Sequence, residues 1–94
     1  MSTKRYVYTA WFRDTRMPPD DQDYEWPACF LIEAATADEA LSWGDRLARG
    51  FSERRVTEVY LSSHVEDESE ADGDLSKLPV VRVGYEASDM EIGW

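Results

Sequence analysis

Residues 36–54 read TADEALSWGDRLARGFSER, and this stretch decides the fold because its helical periodicity is the clearest in the chain. Thr36 can cap the first helical turn and Glu39 can return the hydrogen bond, so TADE forms a capping box. Small and apolar residues then recur at the i, i+3, i+4, i+7 spacing of one helix face. They are Ala40, Leu41, Gly44, Leu47, Ala48 and Phe51. The sequence therefore predicts an amphipathic helix from about Ala37 to an end between Gly50 and Arg54.

Gly44 lies in the middle of this apolar stripe. A glycine inside a helix costs about 1 kcal/mol relative to alanine. Its missing Cβ, however, allows a neighbouring layer to approach the helix backbone closely. The sequence therefore predicts that the helix packs against a sheet at Gly44.

Four segments, 6–13, 28–34, 56–65 and 80–85, have the aromatic and β-branched composition of strands. Two precede the helix and two follow it, which gives the order ββαββ. At 94 residues the chain is long enough for one core. We therefore expect residues 1–94 to form a single α+β domain, a two-layer sandwich. In it, a single amphipathic helix covers one face of a four-stranded mixed sheet, and the connection through the helix joins parallel strands.

The alternation of side chains along each strand predicts which residues meet the helix. The expected helix-facing set is Tyr6, Tyr8, Ala10, Phe12, Ala28, Phe30, Ile32, Ala34, Val59, Leu61, Val65, Val81, Val83 and Tyr85. The opposite face then collects Val7, Thr9, Trp11, Leu31, Glu33, Glu58, Tyr60, His64 and Arg82. One helix cannot cover both faces, and an uncovered sheet face with aromatic side chains is typical of a binding or dimer surface. The predicted partner-binding residues are Trp11, Tyr60, His64 and Arg82.

Residues 66–79 form an acidic connection between the last two strands. Its acidic residues are Glu66, Asp67, Glu68, Glu70, Asp72 and Asp74. Gly73 could align with the glycine of an EF-hand loop, but Pro79 then occupies the position of the bidentate glutamate, so no metal site is expected. Two interpretations remain: a mobile, solvated loop, or a polyanion mimic that captures a basic protein. Acidic turns after the first and third strands should lie at opposite ends of the sheet, which weakens the mimic.

Twenty acidic residues against ten basic ones give a net charge of −10, which disfavours direct binding to nucleic acid or anionic membranes. The longest apolar run, ACFLI at 28–32, is far shorter than the roughly 20 residues that span a bilayer. The amino end also lacks a signal-peptide core. A single cysteine, Cys29, suits a reducing compartment. We therefore expect a cytoplasmic protein.

The candidate nucleophiles and bases do not form a catalytic set. Ser62 lies two positions before His64 on one strand, about 7 Å along the backbone, which is too far for a triad. Cys29 is expected to be a buried apolar residue with no base beside it. The chain has no phosphate-binding glycine motif. The sequence thus favours a protein that is not an enzyme and uses no cofactor.

Tryptophans are the remaining candidates for partner anchors, because large rigid aromatic side chains supply much of the energy of an interface. Trp26 and Trp43 are expected to cap the edges of the core, whereas Trp11 could serve either role. In the C-terminal tail, 86–94, Ser88 and Glu91 could cap a helical turn that docks Trp94.

These observations favour a small, non-catalytic interaction module that binds a protein partner, or a second copy of itself, through the uncovered sheet face. One alternative is an acidic inhibitor or immunity-type protein that neutralises a basic enzyme. Another is a small-molecule sensor or enzyme, which would require a pocket lined by Trp11, Tyr60 and His64.

Overall fold

The computed structural model describes residues 3–18, 20–21, 24–71 and 73–92. Its strands and helices occur in the predicted ββαββ order, with a short helix in the tail. The elements are β1 (Lys4–Asp14), β2 (Glu25–Ala34), α1 (Ala37–Arg54), β3 (Glu58–Asp67), β4 (Val80–Arg82) and α2 (Asp89–Ile92). Within these described ranges, none of the helices has the length and apolar character needed to cross a membrane.

The four strands form one mixed sheet in the order β3-β1-β2-β4. β1 pairs antiparallel with both β2 and β3, whereas β4 pairs parallel with β2. β2 and β3 therefore run in the same direction with β1 between them, and α1 connects them. This arrangement confirms the predicted α+β class and the four-stranded mixed sheet with one long helix packed on it.

Helix α1 begins where the capping box predicts. The Thr36 side chain accepts a hydrogen bond from the backbone N–H of Glu39, and the Glu39 carboxylate accepts one from the N–H of Ala35. Arg54 is its last residue. The predicted close approach at Gly44 is also confirmed, because a Cβ built there would lie 2.3 Å from the Tyr8 ring.

The core lies between α1 and one face of the sheet. It confirms the predicted helix-facing residues of β1 and β2, whose side chains alternate as expected. The cluster comprises Tyr6, Tyr8, Ala10, Phe12, Ala28, Phe30, Ile32, Ala34, Ala40, Leu47, Ala48, Phe51, Val81, Ala87 and Ile92. The Phe12 ring stacks on Trp26 and packs edge to face with Phe51, with centroids 5.0 and 5.2 Å apart. Trp26 and Trp43 pack at the margin of this core, as predicted.

Strand β2 begins three residues earlier than predicted and continues through Pro27. The alternation of hydrogen bonds explains this, since the missing N–H of Pro27 would point away from β1 toward an edge that β4 does not reach. Strand β4 is shorter than predicted. A turn follows it, in which Tyr85 N donates to Arg82 O and Gly84 has φ +93°. The expectation that Val83 and Tyr85 face the helix was wrong, because both lie beyond the strand and are exposed.

Strand β3 contains a β-bulge that the sequence did not predict. Phe12 pairs with Tyr60 but Trp11 pairs with Ser62, so Leu61 is an extra residue between the two pairs. The bulge shifts the alternation by one position. Tyr60 therefore shares the helix-facing side with Phe12, whereas Val59 pairs with Arg13 on the other side. Val65 packs against the core as predicted, but the expected facing of Val59, Leu61, Glu58 and Tyr60 was wrong.

The tail returns to the helix side of the sheet. Ser88 and Glu91 exchange the predicted capping hydrogen bonds, and Ile92 is buried. Arg46 of α1 pairs with Glu86, and Arg54 pairs with Asp89. Two ion pairs from the helix thus hold the tail in place. Trp94 lies outside the described residues.

Candidate binding surface

Opposite the helix, three neighbouring strands present two rows of side chains that no helix covers. One row is Pro27, Trp11 and Ser62, and the next is Cys29, Thr9 and His64. We call these six residues the uncovered face. Trp11 is 37% exposed. Thr9 is half-buried, and the other four are exposed. None of the six is acidic, although the chain carries twenty acidic residues. These six side chains include no carboxylate, but the next row on the same side, Glu25, Arg13 and Val59, places one acidic and one basic residue beside Trp11.

The other end of this sheet face is covered. Val7 and Leu31 point the same way as Trp11, yet only 8% and 3% of their surfaces are exposed. β3 and β4 lie at opposite edges of the sheet, so residues 68–79 must cross from one edge to the other. α1 occupies the helix side, and Leu31 N donates to Pro79 O at 2.9 Å. We infer that the described part of the acidic segment, residues 68–71 and 73–79, crosses over Val7 and Leu31.

Of the four predicted partner-binding residues, Trp11 and His64 lie together on the uncovered face. Arg82 is exposed on the same side of the sheet, but its cross-strand partners are Glu33 and Arg5. Arg5 lies six residues from Trp11 along β1, a distance of about 20 Å. The covered residues Val7 and Leu31 lie between them, so Arg82 belongs to a different part of the surface.

Tyr60 was predicted on the uncovered face, and this placement was wrong. The bulge at Leu61 turns Tyr60 toward α1, where its ring packs against the core and beneath the Arg49 guanidinium. Its hydroxyl donates to Ser63 Oγ at 2.8 Å and lies 3.2 Å from Asp45 Oδ1. Tyr60 thus serves the contact between helix and sheet, and its role as a partner-binding residue loses its basis.

Asp45 of α1 is the centre of a hydroxyl cluster that sequence reasoning missed. Its Oδ1 accepts hydrogen bonds from Tyr8 OH, at 2.8 Å, and from Ser63 Oγ. Burial, and then the hydrogen bond to Asp45, raises the pKa of Tyr8 far above its ordinary value of 10.0. The signal was the tyrosine at a core position of β1, because a buried tyrosine hydroxyl requires a partner. The cluster joins one helix and two strands by polar contacts.

His64 and Cys29 occupy the same cross-strand row, but they are not neighbours. Thr9 lies between them, and its Oγ1 is 3.5 Å from Cys29 Sγ. Two strand spacings, about 10 Å, separate the backbones of Cys29 and His64, which is too far for an imidazole to activate a thiol. The expectation that Cys29 is buried was wrong: it is exposed, because the side chains of β2 alternate and only the helix-facing ones are enclosed.

Local hydrogen bonds organise part of the acidic segment and the end of β3. Asp67 Oδ1 accepts from the backbone N–H of Ser69, and Asp74 Oδ1 accepts from that of Ser76. The backbone N–H and hydroxyl of Ser69, with Lys4 nearby, lower the pKa of Asp67. The hydroxyl and N–H of Ser76 lower that of Asp74. Glu68–Glu70 form a 3₁₀ turn between them, and Asp72 lies outside the described residues. In the described part of the chain, no three potential ligands gather into a metal site.

The acidic turns after β1 and after β3 lie at opposite ends of the sheet, as the sequence predicts. Asp14, the last residue of β1, pairs with the first residue of β3, whereas Asp67 pairs with Tyr6 near the start of β1. The ten residues of β3 therefore separate the two acidic regions by about 30 Å. This distance divides the negative charge between two surfaces.

One surface cavity lies on the helix side of the molecule. It is shallow, about 470 Å³ in volume, and is lined by Asp38, Glu39, Ser42, Trp43, Arg46 and Val83, between α1 and the turn after β4. Trp43 donates its indole N–H to Tyr85 O at 3.1 Å, and the Arg46 guanidinium lies over its ring. Trp43 is thus engaged with the tail rather than free to anchor a ligand.

The fold defines this chain as a small acidic α+β protein with a sheet face that is only partly covered. No protein-family model matches the chain, and the searches of curated proteins and of solved structures also found no match.

Proposed function

We propose that this protein is a non-catalytic interaction module that binds a protein partner through the uncovered face. One observation carries the proposal: Trp11 lies exposed on an uncovered face whose six residues include no acidic side chain, on a protein whose net charge is −10. Acidic residues elsewhere keep the chain soluble. An exposed, rigid aromatic side chain is typical of the centre of a protein–protein interface.

His64 and Ser62 add polar groups beside Trp11. Both are exposed, and they lie on β3, next to the strand that carries Trp11. An imidazole and a hydroxyl can donate or accept hydrogen bonds from a partner, while the indole supplies most of the apolar contact area. The proposal places the protein in a reducing compartment such as the cytoplasm, because the single cysteine is exposed on this face.

Site-specific photocrosslinking in the source cells tests the proposal. A benzophenone amino acid at Ser62 is expected to give a defined protein adduct. The same group at Met90, which is 92% exposed in the tail, serves as the control and should not give that adduct. Trp11→Ala should remove the Ser62 adduct. The same adducts from both positions, or an adduct that survives Trp11→Ala, would contradict the proposal.

Salt dependence separates this proposal from the acidic-inhibitor alternative. Once the cross-linked partner has been identified and purified, its affinity should change little between 50 and 300 mM salt, because the six residues of the uncovered face include no carboxylate. An affinity that falls steeply over that range would indicate binding through the acidic regions instead.

A further inference from the structure

The backbone of β1 determines which groups of its neighbours point outward. Thr15 N donates to Thr57 O, beside β3, whereas Asp14 N donates to Tyr24 O, beside β2. In an extended strand, the N–H and C=O of one residue point the same way, and successive residues alternate. Odd-numbered residues of β1 therefore bond to β3 and even-numbered residues bond to β2.

The outer edge of β2 is protected where β4 does not cover it. Leu31 and Glu33 point outward and bond to Pro79 and Val83. Pro27 also points outward, beyond the reach of β4, and it has no N–H to offer. A proline at an outward position of an edge strand discourages pairing with another chain.

The first half of the outer edge of β3 is occupied by α1. Ser52 Oγ donates to Glu58 O at 2.8 Å and accepts from Tyr60 N at 3.2 Å. Glu58 N donates to Arg55 O at 3.0 Å. The C-terminal end of the helix thus satisfies the N–H and C=O of Glu58 and the N–H of Tyr60.

Beyond the bulge, β3 has a free edge. Ser63, Val65 and Asp67 pair with even-numbered residues of β1, so their N–H and C=O groups point outward. Within the described part of the chain, no loop or side-chain hydrogen bond reaches the outward backbone groups of Ser63 and Val65, whereas the Asp67 carbonyl begins the 3₁₀ turn of Glu68–Glu70. Residues 63–67 contain no lysine or proline that would discourage pairing, and the two acidic residues among them, Glu66 and Asp67, stand at the end of the strand.

We propose that this free edge pairs with the same edge of a second copy of the chain, as antiparallel strands with Val65 opposite Val65. Val65 then exchanges two backbone hydrogen bonds with its counterpart. The Ser63 carbonyl accepts a further hydrogen bond from the backbone N–H of Asp67 of the second copy. The two sheets join into one eight-stranded sheet around a two-fold axis.

Complementary charge and steric access favour this register over its neighbours. It places His64 opposite Glu66 of the second copy twice, in non-hydrogen-bonded pairs where side chains approach most closely. A register centred on His64 would place two histidines opposite each other. One centred on Ser63 would bring Glu66 against Tyr60, whose outer side Ser52 already occupies. The chosen register lies wholly within the free part of β3.

Sedimentation velocity from about 10 µM to 1 mM tests the pairing. We expect a weak dimer, with a dissociation constant on the order of 100 µM, because five paired residues bury less than the roughly 1,200 Å² of a stable complex. Val65→Pro removes an outward N–H but leaves the β1–β3 hydrogen bonds intact, so it should abolish the dimer. Val65→Ala is the matched control, since it loses the side chain and keeps the N–H. Its dissociation constant should stay within about threefold of the wild type.

A monomer throughout this range, or a Val65→Pro variant that dimerises like the wild type, would overturn the proposal. Disulfide trapping tests the register in a second way that does not depend on proline. In a Cys29→Ser background, His64→Cys together with Glu66→Cys should form oxidised dimers. Dimers from His64→Cys alone would contradict the register, because they indicate a two-fold axis at residue 64.

The edge proposal is independent of the proposed function of the uncovered face. Trp11→Ala removes the anchor of that face but leaves the edge of β3 unchanged, so the dimer should persist. A Trp11→Ala variant that loses the dimer would show that two copies meet through the face instead. Failure of either proposal leaves the other testable.

Discussion

The two faces of the sheet are made by the same strands, but they are buried by different means. On one face, α1 approaches so closely that Gly44 touches the Tyr8 ring. On the other, the acidic segment crosses over Val7 and Leu31, and the rows containing Trp11 and Thr9 remain accessible. The comparison teaches that one helix encloses a whole face of the sheet, whereas the second face is only partly enclosed.

Substitutions at Phe12 and Trp11 should show the largest difference in stability between the two faces, because these residues are neighbours in sequence but lie on opposite faces. Phe12→Ala should lower the free energy of unfolding by about 3–5 kcal/mol, since Phe12 is fully buried between three aromatic rings. Trp11→Ala should cost only about 1 kcal/mol, because much of the ring already contacts water. Urea titrations followed by circular dichroism measure both. Equal losses would contradict the distinction between the faces.

Gly44 and Gly50 test how closely the helix must approach. Gly44→Ala should destabilise the protein by about 1–3 kcal/mol, because the new Cβ overlaps the Tyr8 ring and forces a shift that outweighs the better helix propensity. Gly50→Ala meets only the flexible end of Arg54 and should be neutral or stabilising by up to about 1 kcal/mol.

Thermal melts of the two variants provide the measurement. A Gly44→Ala variant as stable as the wild type would mean that the contact between helix and sheet tolerates a wider separation.

Of these substitutions, a change in the hydroxyl cluster should lower the free energy of unfolding the least. Tyr8→Phe removes one hydrogen bond to Asp45 and should cost about 1 kcal/mol near pH 7. Because the folded protein raises the pKa of Tyr8 above 10.0, the unfolded chain loses this proton first as the pH rises. Wild-type stability should therefore fall above about pH 10, and the fall should be shallower in Tyr8→Phe.

Tyr6→Phe is the control for this effect, because Tyr6 is buried on the same strand but has no place in the hydroxyl cluster. Urea titrations at pH 8, 10 and 11 distinguish the variants. If the stability of Tyr8→Phe depends on pH in the same way as that of Tyr6→Phe, the cluster does not raise the pKa of Tyr8.

Much of the covered face could be predicted from the sequence. The TADE capping box placed the start of α1, the glycine in the apolar stripe indicated the close contact, and alternation identified the core residues of β1 and β2. These features depend on residues close together in the chain, where helix and strand periodicities apply directly. The facing of Tyr60 could not be predicted, since the bulge at Leu61 depends on pairing with β1, about fifty residues away in sequence.

The residues of the uncovered face were predicted only in part, again because some of them depend on contacts between distant parts of the chain. Trp11 and His64 followed from alternation, but the path of the acidic segment depends on strand order. Only the placement of β3 and β4 at opposite edges requires the chain to cross over Val7 and Leu31. Likewise, Cys29 is exposed because nothing covers the side of β2 opposite the helix at that position of the strand. The covering of a sheet face is a property of the whole topology.

The central position of β1 has a consequence for synthesis on the ribosome. β1 is made before both of its neighbours, and the second of them, β3, ends 33 residues after β2. At translation rates of about 5–20 residues per second, the nascent chain holds one side of β1 unpaired for roughly 2 to 7 s. The nascent chain should therefore be most prone to aggregation during that interval, before β3 pairs with the free edge of β1.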